Sequence, residues 1–147
     1  TTISAGTDQI TKMRFAGILV DEVAQATELA TIVPFVQRGC SRLVLVGDQC
    51  QLPPSVNSLE AETRGYSLSI FSRFLALGVE PHFLDTQYRM HPKIAEFSSK
   101  AFYDSKLLTG ITAADRPVPL GFPWPNPDCP AVFLHVDGRE SEDAGQS

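Results

Sequence analysis

The chain has 147 residues, 43% of them hydrophobic and 20% charged, which is enough for one ordinary domain with a real core and excludes a disordered or collagen-like polymer. No apolar run approaches the ~20 residues of a membrane span, and the first six residues lack the basic flank and apolar stretch of a signal peptide. The net charge of −5 is uneven: Asp128 to Ser147 holds five acids against one base, so the other 127 residues sum to only −1.

A strand cut short is expected around Thr2–Ser4. Phe15–Val20 is an apolar run with polar flanks and reads as a buried strand. Leu29, Ile32, Val33 and Val36 fall at i, i+3, i+4 and i+7, so a helix follows, with Pro34 expected to kink or split it. Leu43–Val46 reads as a second buried strand. Leu68, Ile70, Phe71, Phe74 and Leu75 make the apolar face of another helix, with Ser67 as its N-cap and Gly78 as its C-terminal stop. His82–Leu84 is a third strand-like run. Pro92 suits a first helical turn ahead of Ile94, Ala95, Phe97 and Phe102. Six prolines between Pro117 and Pro130 exclude regular structure around Phe122 and Trp124. Ala131–Val136 reads as a fourth strand and Glu140–Ser147 as a frayed acidic end. Strands alternating with helices imply βαβ units and a parallel sheet, an α/β fold. Both ends read as cut, so the chain is expected to be a fragment.

Three clusters carry chemistry. Gly17 to Glu22 is a strand ending in two carboxylates, at the edge where open parallel sheets bind ligands. In nucleotide hydrolases the first such acid holds Mg²⁺ through its water shell and the second orients and deprotonates the attacking water. Taken alone, Asp21-Glu22 reads more readily as a solvated turn. Leu43 to Pro54 is a strand followed by Gly47, Asp48 and, three residues on, the amide of Gln51, which can donate to a terminal phosphate. Alone, Gly47-Asp48 is a plain turn. Leu84 to Pro92 presents Arg89, whose planar fork suits phosphate oxygens, beside Tyr88, which can stack on a base. The alternatives are an interdomain salt bridge and a core tyrosine. His91 beside Pro92 is expected to cap a helix rather than to catalyse. Cys40, Cys50 and Cys129 lack metal-ligand spacing, which argues for incidental thiols in a reducing compartment.

The conjunction is more specific than its parts. Asp-Glu-x-x-Gln (Asp21 to Gln25), Gly-Asp-x-x-Gln-Leu-Pro-Pro (Gly47 to Pro54) and Gln-Tyr-Arg-Met-His-Pro (Gln87 to Pro92) occur in one order. Together they resemble the second to fourth motifs of superfamily-one helicases, in the branch of the nonsense-mediated mRNA decay helicases. Ala101-Phe102-Tyr103, Gly110 to Arg116 and Trp124-Pro125-x-Pro127 extend the likeness to about Gly138.

The resemblance implies a partial RecA-like parallel sheet of the P-loop NTPase core. Residues 1–86 would be the C-terminal half of the first lobe and 87–139 the start of the second, including the Pro-rich segment 117–130, with 140–147 acidic and disordered. Asp21 would ligate Mg²⁺ and Glu22 would be the base for the hydrolytic water. Gln25 and Gln51 would lie near the γ-phosphate of ATP, Tyr88 would stack on the adenine, and Arg89 would be an arginine finger. Thr2 to Gly6 looks like a segment that meets the nucleic-acid backbone. The implied partners are single-stranded RNA or DNA and decay-factor proteins, with no membrane. The implied compartment is the cytoplasm, with the nucleus as the alternative.

One departure stands out: no Gly-x-x-x-x-Gly-Lys-Ser/Thr occurs in these residues. The chain alone is therefore expected to be inactive, part of an ATP-dependent helicase. The competing expectation is a truncated, non-catalytic docking module. The only net-basic stretch, Arg89–Lys106, has four bases against Glu96 and Asp104, so most of a phosphate-tracking surface must lie elsewhere.

Overall fold

Ile18–Val20 and Leu43–Leu45, both rich in β-branched and Leu residues, form strands β1 and β2 of the computed structural model, which describes residues 2–7 and 13–138. They pair in parallel with Ile18 opposite Leu43, Leu19 opposite Val44 and Val20 opposite Leu45. Parallel pairing needs a crossover, and helix α1 (Glu28–Arg38) supplies it. Thr27 caps α1 by accepting from the Ala30 N–H. Pro34 lies inside α1, buried, and the helix continues past it rather than splitting.

Alternation along β1 and β2 gives the pair one covered face. Val20, with Val23 and Ile70, forms a small core against which Ile18, Ile32, Phe35, Leu45, Phe71 and Phe74 pack. Val23 is fully buried, which contributes about 1.5–3 kcal/mol. Leu19 and Val44 point to the other face and are open, and Leu43 is exposed as well, so of the two strands expected to be fully buried only β1 holds a buried residue, Val20.

Helices α2 (Leu59–Thr63) and α3 (Ile70–Ala76) follow. The N-cap of α3 is Ser69, whose hydroxyl accepts from the Ser72 N–H; Ser67 lies two residues too early, in chain whose Leu68 carbonyl takes the Glu28 N–H. Gly78 does end the helix. At φ 84° it lets its own N–H reach the Leu75 carbonyl and the Val79 N–H reach that of Phe74, the paired bonds of a Schellman stop. Arg73 of α3 grips Glu28 of α1 with two bonds of 2.6 and 2.5 Å, and that hydrogen bonding holds the Glu28 carboxyl below its usual range.

The chain divides into two compact units, Thr1–Phe83 and Leu84–Ser147. The second repeats the βαβ logic: β3 (Thr86–Gln87) and β4 (Leu108–Thr109) pair in parallel, joined through α4 (Pro92–Phe102). Pro92 opens α4, and His91 caps it, its Nδ1 accepting from the Lys93 N–H. The exit of α4 runs through Asp104 and Ser105, both left-handed, and Ser99 Oγ donates to the Leu107 carbonyl to hold it.

Three expected strands do not form. Residues 82–84 are irregular, the pairing having moved to Thr86–Gln87; residues 131–136 are irregular, with Phe133 88% exposed; and Ile3–Gly6 is a 3-10 turn. Among the described residues the two sheets are β1–β2 and β3–β4, and neither of the first two runs joins them; an apolar run outside a ladder has no reason to be a strand. The Pro-rich segment is irregular as expected, and its aromatics pack on each other: Phe122 and Trp124 stand 4.7 Å apart, with Trp124 Nε1 donating to the Pro119 carbonyl. Residues 140–147 and Thr1 lie outside the described residues. Among the described residues no helix is long and apolar enough to cross a membrane.

Candidate active site

Two turns meet at the C-terminal edge of β1 and β2. The Val46 N–H donates to the Val20 carbonyl at 2.8 Å, and the Val46 carbonyl accepts from the Val23 N–H at 3.0 Å. The turn after β1 is thereby stitched to the turn after β2. Gly47 makes the stitch possible, since a Cβ there would stand 2.9 Å from Val23 Cγ1 and 3.0 Å from the Ala24 nitrogen. Because Val23 is fully buried and the second contact is backbone, neither neighbour has free space. Gly47→Ala is expected to cost about 1–3 kcal/mol, read as a lower denaturation midpoint of this unit in the full-length protein. An unchanged midpoint would show that the two turns separate freely.

Each turn carries an acid with an amide three residues on. Glu22 sits in the left-handed region at φ 53°, a placement that costs a non-glycine residue on the order of 1–2 kcal/mol. Asp21 Oδ1 accepts from the Glu22 N–H, and Gln25 Nε2 donates to Glu22 Oε2 at 3.0 Å. In the second turn Asp48 Oδ1 accepts from the Cys50 N–H, and Asp48 Oδ2 accepts from Gln51 Nε2 at 2.8 Å. Asp21, Glu22, Gln25 and Gln51 are all exposed at this one edge, so the structure brings those four sequence-predicted residues together.

The donor set fits a hydrated divalent cation. Asp21 Oδ2 has no protein partner among the described residues, and magnesium keeps most of its waters and takes one or two carboxylates plus substrate phosphates. Among the described residues no three His, Cys, Asp or Glu side chains gather into an all-protein metal cage. Cys40, Cys50 and Cys129 form no disulfide among the described residues.

Tyr88 and Arg89 lie in the second unit, just after β3, and they are presented by residues to which the sequence reading gave no role. The Gln87 oxygen accepts from the N–H groups of Arg89 (2.9 Å) and Met90 (2.7 Å), while its nitrogen donates to the Met90 carbonyl and to Thr109 Oγ1. Arg116 Nε donates to the Arg89 carbonyl at 3.1 Å and its Nη2 to that of Tyr88 at 3.3 Å. The Tyr88 ring lies over Gly110, where a Cβ would stand 2.2 Å from Cε1, and the residue remains 63% exposed. Among the described residues of this unit the Arg89 guanidinium has no hydrogen-bond or ion-pair partner.

The turn bearing Arg116 is itself fixed. Asp115 Oδ2 accepts from the Thr112 N–H and Oγ1, both at 2.7 Å, and these bonds, the backbone one first, hold its carboxyl below the usual range. The Thr112-x-x-Asp115 spacing was the available sequence signal for that turn.

Two family models, each described as an AAA domain, match residues 1–59 and 66–147, and the chain belongs to that family. It is 44% identical over 140 residues to the regulator of nonsense transcripts 1 homolog of Drosophila melanogaster and 44% over 138 residues to regulator of nonsense transcripts 1 of Caenorhabditis elegans. It is 40% identical over 141 residues to the ATP-dependent helicase upf1 of Schizosaccharomyces pombe. These likenesses cover 95%, 93% and 95% of this chain, which in turn spans 12%, 13% and 15% of those relatives. They agree with the resemblance read from the motifs.

Proposed function

We propose that this chain is the hydrolytic part of an ATP-dependent helicase acting on single-stranded RNA or DNA in nonsense-mediated mRNA decay, folded as parts of two RecA-like lobes. The observation that carries this reading is the stitched edge at which Asp21, Glu22, Gln25 and Gln51 gather. Parallel sheets take ligands at that edge, and these residue types are the ones nucleotide hydrolysis needs there.

Asp21 and its second oxygen would hold magnesium through water. Magnesium, when bound, neutralises charge on the phosphates. Glu22 accepts a proton from the attacking water, its carboxylate held in place by the Gln25 amide. Gln51 exchanges its bond to Asp48 for one to the terminal phosphate, which links nucleotide state to the shape of its turn. Tyr88 stacks on the adenine, supported by its exposed face. Arg89 supplies the fork that offsets charge on the transferring phosphoryl group. The loop that cradles the phosphates is absent from these 147 residues, so the activity belongs to the full-length protein.

ATP turnover by the full-length protein, with and without single-stranded RNA, tests this. Strand-stimulated turnover is expected, and Tyr88→Ala should raise the ATP KM about tenfold with kcat changed far less, because base stacking on an aromatic contributes about 1–3 kcal/mol. An unmoved KM removes the stacking role. Absent turnover in the parent protein leaves the non-catalytic docking module as the reading.

A further inference from the structure

We propose that Arg116 is a positioning residue that holds the Tyr88–Arg89 backbone in the conformation that presents Arg89 to its target. The inference rests on the arginine-finger reading above and extends it to a residue 27 positions away in the chain.

The geometry is specific. Arg116 directs Nε to the Arg89 carbonyl, Nη2 to the Tyr88 carbonyl and Nη1 to its own neighbour's, that of Asp115, at 3.0 Å. One rigid guanidinium plane thus bridges two consecutive carbonyls of the finger segment and anchors itself to its own turn. A lysine at this position has one small donor head and cannot match that pattern. On the opposite side of the same residue, the Gln87 oxygen takes the Arg89 N–H. Both polar groups of the Arg89 main chain are therefore held by side chains, while its guanidinium has no partner among the described residues. That division is what a preorganised finger requires: the backbone fixed and the fork free, so little ordering remains to be done at the transition state. The Thr112–Asp115 capping pair fixes the turn that carries Arg116, and the Tyr88 ring packs over Gly110.

The test is a double-mutant cycle on kcat in the full-length protein, with single-stranded RNA at saturation. Arg116→Ala is expected to lower kcat about tenfold to a hundredfold, the scale of an ångström-sized misplacement at a reacting centre. In an Arg89→Ala background the same change is expected to cost less than about twofold, because the group being positioned is already gone. Arg116→Lys keeps the charge and the stem, guards against a folding failure of the alanine variant, and should fall between parent and alanine. Equal losses in both backgrounds would show a general structural role and overturn the inference, as would an Arg116→Ala protein with parental kcat. An Arg89→Ala protein with parental kcat would instead remove the arginine-finger reading itself, and this inference with it.

Discussion

Arg89→Ala in the full-length protein is expected to lower kcat for ATP by about a thousandfold or more, with the nucleotide KM changed far less. The size follows from where the charge is needed. An arginine finger acts on negative charge developing on the γ-phosphoryl oxygens, so it stabilises the transition state more than the bound substrate, and its loss appears in kcat. The geometry favours a large effect over a small one. The guanidinium of Arg89 is uncommitted among the described residues, whereas its own N–H and carbonyl are held by Gln87 and Arg116. Replacement by alanine leaves those main-chain bonds intact, so the measured loss reports the fork and not the fold. A kcat within a few-fold of the parent's would remove Arg89 from the mechanism.

The second large effect is expected from Glu22→Gln, which should reduce strand-stimulated turnover by about a hundredfold to ten-thousandfold while nucleotide binding persists. The substitution is nearly isosteric, and the new side-chain oxygen can still accept from Gln25 Nε2, so the left-handed turn at Glu22 keeps its local support. What disappears is a basic oxygen able to take a proton from water. Unchanged turnover defeats the assignment of Glu22 as base and leaves the Asp21-Glu22 pair as the solvated turn it otherwise resembles.

The parts of this molecule that could be read in its sequence are those set by local chemistry. Gly78 ends a helix because the stop needs a positive φ, and His91-Pro92 begins one because proline fits the first turn and a ring nitrogen can take an orphan N–H. The turns after β1 and β2 were legible for the same reason: an apolar run ending in acids says what lies at its end. Partnership was illegible. The run at 131–136 is as apolar as β1 yet has no partner among the described residues, while Leu108–Thr109 is a two-residue strand only because Thr86–Gln87 lies beside it. Choosing between Ser67 and Ser69 as a cap likewise depended on what the Leu68 carbonyl was bonded to, a contact 40 residues away in the chain. Gln87 and Arg116 were quoted as members of motifs and given no task, since a side chain that serves distant backbone leaves no periodicity behind.

The glutamine at 87 differs in kind from those at 25 and 51. Its oxygen already receives two protons and its nitrogen already delivers two, so the amide has reached its full valence within the protein and has nothing to lend a ligand. Hydrolytic deamidation there would swap a donor for an anion facing the Met90 carbonyl, turning attraction into repulsion at the root of the finger. Slow chemical ageing at this half-buried amide would therefore loosen the Arg89 segment without touching the side chains proposed to meet the nucleotide.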